Sequence, residues 1–239
     1  MSGPESSQEL SDWAVAHREL GNVREEPLAD VLSKIKTNLS SNVAELMCVL
    51  FGFVGIFMGI ATPILAVQIL LIDIVGEMIP LTMLTYDPPE KSIMENPPRS
   101  PKDKILTNEA MIGIAFSGIV MGLVAYGAFL FSMFIYPHGA NNYQRAITIT
   151  FVSIIFGQYA NILSRRTYGN ALGKYLFSNR NLLLAFALSI SCILLIVYIP
   201  VFNLYFHTAT LNAVDWMLPI AVGAICLAVF ELKKKFFKH

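Results

Sequence analysis

The residues best placed to do chemistry are two acids inside an apolar run. Leu65 to Thr85 reads LAVQILLIDIVGEMIPLTMLT, long enough to cross a hydrocarbon core as a helix, yet Asp73 and Glu77 stand near its middle. An acid at the centre of an inserted helix costs about 2.5 to 3.5 kcal/mol, so two ionised ones cost about 5 to 7 kcal/mol. Spaced four apart, both carboxylates fall on one face of a helix and can converge on a common ligand, for which a cation is the natural choice. The plainer alternative is that one is protonated, or hydrogen-bonded to a neighbouring helix, with no transport role.

Other polar residues repeat this arrangement. Asn42 and Glu45, in the stretch SSNVAE, are three apart and share a helical face, with Asn42 near a predicted membrane boundary. Gln158 and Asn161 are also three apart and offer neutral carbonyl oxygens, although such pairs more often bond between helices. The set is all oxygen, which suits hard cations and disfavours soft metals. His17 has no second ligand at the next helical turn and reads as a solvated histidine. Cys48, Cys192 and Cys226 lie in apolar runs without CxxC spacing, and packing is their expected role.

The elements that must hold these groups are membrane helices. Hydrophobic residues make up 55% of the 239 and charged residues 14%, against about 25% charge in soluble domains, and mean hydropathy is +0.58. The formal net charge is zero, so no nucleic-acid-binding surface is expected. Apolar segments fall at about Val43 to Ile60, Leu65 to Thr85, Ala110 to Ile135, Ala146 to Leu163, Leu182 to Ile199 and Val214 to Glu231. The first two are joined by a tight hairpin at Ala61 to Ile64. Gly113, Gly118, Gly122 and Gly127 suit the third to close helix packing.

Residues 1 to 38 form a polar segment with no secretory h-region after the initiating Met. Leu10, Trp13, Ala14, His17 and Leu20 predict a short amphipathic helix, and Asp30 a cap for a helix running on into the membrane. Of the 17 Lys and Arg residues, Arg145 alone falls outside the segments expected on the cytoplasmic side. The expected architecture is therefore an all-α membrane protein of six transmembrane helices with both termini cytoplasmic: residues 1 to 38 outside the bilayer, residues 39 to 239 the transmembrane domain.

SSNVAE, then VQILLIDIVGEMIP, then YDPPEKSIMENPPRSPKDKIL resembles the fifth and sixth membrane helices and the following loop of cation-transporting P-type ATPases, most of all the calcium and sodium/potassium pump branch. FVSIIFGQYANILSRR is similar to their eighth helix, and the likeness runs from about Ser40 to the C-terminus. The resemblance implies that Asn42, Glu45, Asp73, Glu77, Gln158 and Asn161 stand at ion-ligand positions. It also implies that helices break near the site, as Gly76 and Pro80 permit.

The departures from the family pattern are specific. Gly76 stands where a hydroxyl residue is usual, Glu77 replaces the commoner aspartate, and DKTG, TGES, a PEGLP-type helix and a P-loop are absent from the sequence. No catalytic residue or cofactor site is therefore expected in this chain, and Mg-ATP would act only through domains it lacks. The transported ion, whether sodium, potassium, calcium or a proton, stays open. Expected partners are the lipid bilayer and a chain carrying the catalytic domains. The chain reads as the C-terminal membrane part of such a pump; the alternatives are a subunit of a split or regulated pump, or a passive ion channel or carrier.

Overall fold

The computed structural model describes residues 7–83, 106–135, 141–165 and 179–236. The described residues are helical apart from short connections such as 57–65 and 207–212, and they contain no strand. The helices are α1 (Ser7–Ile56), α2 (Ala66–Leu71), α3 (Ile79–Met83), α4 (Asn108–Ile135), α5 (Asn142–Arg165), α6 (Arg180–Tyr198), α7 (Pro200–Phe206) and α8 (Ala213–Phe236), with a π-helical segment, Ile72–Met78, joining α2 to α3. Among the described residues, six stretches are long and apolar enough to cross a membrane: Leu32–Ile56, Ala66–Met83, Asn108–Phe134, Asn142–Arg165, Arg180–Tyr198 and Ala213–Lys234. These are the six anticipated from hydropathy. The chain is an integral, multi-pass membrane protein.

The N-terminal expectation needs correcting. No short helix separates from the first span and no helix begins at Asp30, because α1 runs unbroken through that position from Ser7 to Ile56. At its other end α1 stops where Gly59 takes a left-handed φ of 75° and the Ile60 N–H closes on the Gly55 carbonyl at 2.9 Å. The hairpin to α2 is as tight as its length implied: a Cβ on Gly52 would stand 2.3 Å from Pro63 Cδ.

Helix α5 is the hub. Its membrane-crossing window is 89% buried, whereas the other five range from 28% to 44%, so five helices surround one. It touches α1, α4, α6, α8 and the π-helical segment. Its core partners include Ile72, Met121, Val197, Val222 and Cys226, packed around Phe151, Ile154 and Ile155. The outer helices turn Leu46, Phe53, Ile112, Leu184 and Ile220 outward, as lipid contact allows.

Helix α4 docks on α1 through its GxxxG. A Cβ at Gly118 would meet the Ser40 carbonyl at 2.7 Å, and one at Gly122 the Ala44 carbonyl at 2.9 Å. Gly127 has nothing within 4 Å, and the nearest atom to a Cβ at Gly113 is Lys233 Nζ at 3.7 Å, so two of the four glycines make the seam. Cys48 and Cys226 are buried and Cys192 half-buried, all as free thiols in packed positions. Helix α7 was not foreseen. Pro200 begins it, where a fixed φ suits a first helical residue and the missing N–H costs nothing.

The candidate cation site

Helix α1 supplies Ser41 and Glu45, four residues apart on the face that meets α5. From α5, Gln158 donates its Nε2 protons to Ser41 Oγ and, at 3.4 Å, to Glu45 Oε1. Glu45 is 5% exposed, and Gln158, Asn161 and Glu77 are each 1% exposed. The π-helical segment carries Glu77 against this pair, and both Asp73 and Glu77 lie near enough for their charges to act on Glu45.

The segment is irregular for reasons written in its sequence. Pro80 has no N–H to give to a carbonyl one turn back, and the π register widens the turn just before it. Ser189 of α6 fills the gap by donating its hydroxyl to the Val75 carbonyl, while the Tyr159 hydroxyl bonds the same serine. Gly76 lets the segment lie against α5: a Cβ there would stand 2.8 Å from Ile155 Cγ1 and 3.1 Å from Gln158 Oε1. The hydroxyl residue usual in the resembled family would fit here only if the Ile155 side chain moved.

Burial leaves three acceptor atoms without donors. Both carboxylate oxygens of Glu77 and the Oε1 of Gln158 are enclosed and meet no donor at hydrogen-bond geometry among the described residues, with Ser41 and Asn38 the polar side chains nearest Glu77. A buried acceptor without a partner costs about 1–3 kcal/mol, and more when charged, so three acceptors placed together are a costly arrangement that a bound positive charge would relieve. Among the described residues, no three His, Cys, Asp or Glu side chains group tightly enough to hold a metal by themselves. The oxygens at hand are thus two carboxylates completed by an amide, a donor set that fits a hard cation carried as cargo.

The other anticipated residues divide. Asp73 is half-buried on the rim. Asn42 is exposed on the outside of α1, bonded at 3.4 Å to Asn38, and does not join Glu45. Asn161 lies one turn along α5 from Gln158, with its Oδ1 taken by Arg165 Nε at 2.9 Å. The same guanidinium donates to Ser40 Oγ at 2.7 Å and Ser117 Oγ at 3.4 Å, tying α1, α4 and α5 together beneath the site. Ser40, Ser41 and Arg165 were not singled out from sequence, although the first two sit in the SSNVAE stretch beside the residues that were.

The chain matches the family model described as "Cation transporting ATPase, C-terminus" over residues 61–236. It is 28% identical over 191 residues to a calcium-transporting ATPase of Bacillus subtilis (strain 168), an alignment covering 80% of this chain and 21% of that one. Against the human calcium-transporting ATPase type 2C member 1, identity is 29% over 202 residues, covering 84% of this chain and 21% of the relative. Calcium-transporting ATPase 1 of Yarrowia lipolytica gives 27% over 205 residues, again at 21% of its length. The chain thus spans about a fifth of the length of the curated relatives it matches. With the match covering well over half of its residues, the chain belongs to the C-terminal membrane region of the cation-transporting ATPases.

Proposed function

We propose that this region binds a transported hard cation, calcium in the first place, between α1, α5 and the π-helical segment. The ligands in this reading are Glu45, Glu77 and Gln158, with Asp73 at the entrance and Asn161 behind them. Asn42 would contribute only where further protein covers the outer face of α1. The observation that carries the proposal is the set of three enclosed acceptors, Glu77 Oε1, Glu77 Oε2 and Gln158 Oε1, which no donor among the described residues meets at hydrogen-bond geometry, although Ser41 and Asn38 lie beside Glu77. The relatives' printed names, calcium-transporting ATPases, favour calcium among the ions left open by sequence.

Transport by this site is work for a larger machine. The 239 residues hold no phosphorylatable DKTG, so ATP-driven movement requires catalytic domains beyond these residues, with the basic segments around Lys34 and Lys36 and at the C-terminus both on the cytoplasmic side by the distribution of Lys and Arg.

The test is calcium binding to the detergent-solubilised chain, read by titration calorimetry and by calcium-dependent protection from protease. Saturable binding that disappears in Glu77→Gln supports the reading; full protection in a Glu45→Gln/Glu77→Gln double variant refutes the ligand assignment. Incubating native membranes with γ-labelled ATP should label a larger protein that co-purifies with the chain. An absence of any such phosphoprotein would remove the proposed catalytic partner.

A further inference from the structure

Helix α7 is turned the opposite way to a surface helix of a soluble protein. Its one polar side chain, Asn203, reaches inward, with Nδ2 2.9 Å from the Ile196 carbonyl, 2.9 Å from the Val197 carbonyl and 2.9 Å from Thr208 Oγ1. Thr208 in turn donates to the Ile196 carbonyl at 3.0 Å. Pro200 has no N–H for that carbonyl, so these two side chains satisfy the end of α6. Gln68 of α2 donates to the Phe206 carbonyl at 3.4 Å and pins the far end of α7. Held in this way, α7 presents Val201, Leu204 and Tyr205 together on the side away from Asn203, at 59%, 74% and 70% exposure. No residue of α7 is buried.

That outward face continues one that already meets lipid. Leu184, Leu188 and Leu195 run at helical spacing along the outside of α6 to Tyr198, the last residue of its span. The Tyr198 hydroxyl donates to the Leu211 carbonyl at 2.8 Å and accepts from Trp216 Nε1 at 2.9 Å, at the start of the α8 span. Aromatic rings with a polar handle settle at this level of a bilayer, between headgroups and acyl chains. Between Arg180 and Asp215 the sequence holds no Asp, Glu, Lys or Arg. This stretch therefore has no charge with which to seek an anionic headgroup or a charged protein surface, and apolar burial is the attraction left to it.

We propose that α7 is an interfacial anchor, lying in the headgroup region where α6 gives way to α8, with Val201, Leu204 and Tyr205 sunk to the edge of the acyl chains and no dependence on headgroup charge.

The test reconstitutes the full chain in phosphatidylcholine vesicles as Leu204→Trp and, separately, as Tyr205→Trp, and reads the added indole over the Trp13 and Trp216 emission of the wild-type chain. The added emission should be blue-shifted, and phosphatidylcholine brominated on its acyl chains should quench most of it while aqueous acrylamide quenches little. Including phosphatidylglycerol in the vesicles, or raising the salt, should change neither result. Tyr205→Trp exchanges one aromatic ring for another and keeps the proposal testable if Leu204→Trp does not fold. A red-shifted emission that acrylamide quenches and bromine does not would put α7 in water. An indole that neither quencher reaches would put it under protein, such as a second copy of the chain. Either result overturns the proposal, as does bromine quenching that appears only with phosphatidylglycerol.

Discussion

Two buried acids at opposite ends of α5 are handled in opposite ways. Asp215, fully buried in the first turn of α8, is saturated: Arg145 of α5 grips it with two nitrogens, Nε at 2.9 Å to Oδ2, and the Asn212 N–H donates to Oδ2 at 2.8 Å. The bond to Asn212 is the return half of a capping box, so the acid both fastens α8 to α5 and starts its helix. Glu77, almost as enclosed, has no cation on either oxygen among the described residues, only the polar side chains of Ser41 and Asn38 beside it. One acid has its counter-charge built into the fold; the other, in the function proposed above, takes its counter-charge from a cation that comes and goes. The difference separates an acid that holds the bundle together from one that the bundle holds ready.

Exchanging their chemistry breaks the comparison most sharply at Asp215. Asp215→Ala leaves the Arg145 guanidinium facing a cavity without its carboxylate, and loss of one partner from a buried pair costs about 3–5 kcal/mol. Heat or denaturant unfolding, followed by exposure of the buried Cys48 and Cys226 thiols to a maleimide, should register this loss with or without calcium. Glu77→Gln should do the reverse. Removing a buried negative charge without a partner leaves folding unharmed or improved, while calcium affinity falls on the order of a hundredfold, about 2.7 kcal/mol. A Glu77→Gln chain as unstable as Asp215→Ala would show that Glu77 is a structural acid after all.

The packing around Glu77 gives a smaller effect. Gly76→Ala places a methyl group 2.8 Å from Ile155 and 3.1 Å from Gln158 Oε1, so the π-helical segment must retreat from α5. Overpacking of this kind costs about 1–3 kcal/mol. It should weaken calcium protection together with stability, unlike Glu77→Gln, which separates the two. Equal stability and equal protection in Gly76→Ala would mean that the segment and α5 are not held as close as this glycine allows.

The sequence carried the six spans because a run of apolar residues with the length of a bilayer crossing is a local property. It carried Glu45, Glu77 and Gln158 because a polar group inside such a run is conspicuous wherever the run ends up. Arg145 stood out too, as the lone cation away from the other basic residues, but its partner did not, since Asp215 lies 70 residues away and looks like a helix-boundary acid. Asn42 shows the limit of helical spacing as evidence. Three residues from Glu45, it could face the same way, but α1 turns Glu45 toward α5 and leaves Asn42 outside, a choice made by the Gly118 and Gly122 seam on α4. The central place of α5 was equally hidden, because its apolar content resembles that of the other spans and only packing shows that it is enclosed on all sides.

The smallest effect concerns the helix irregularity that carries Glu77. Proline foretold that the helix could not remain regular, but not that a serine on another helix would answer for the missing donor. Ser189 gives its proton to the Val75 carbonyl and shares the Tyr159 hydroxyl, so Ser189→Ala strips one buried carbonyl of its donor and one tyrosine of its partner. The expected cost is about 1 kcal/mol, within the usual range for a net hydrogen bond. Its location makes it informative. Ser189 touches no candidate ligand, so a uniform loss of stability with unchanged calcium affinity would mean that Pro80 and Gly76 suffice to set the segment's shape. A several-fold loss of affinity with the same small loss of stability would mean that α6, through one hydroxyl, helps to fix where Glu77 stands.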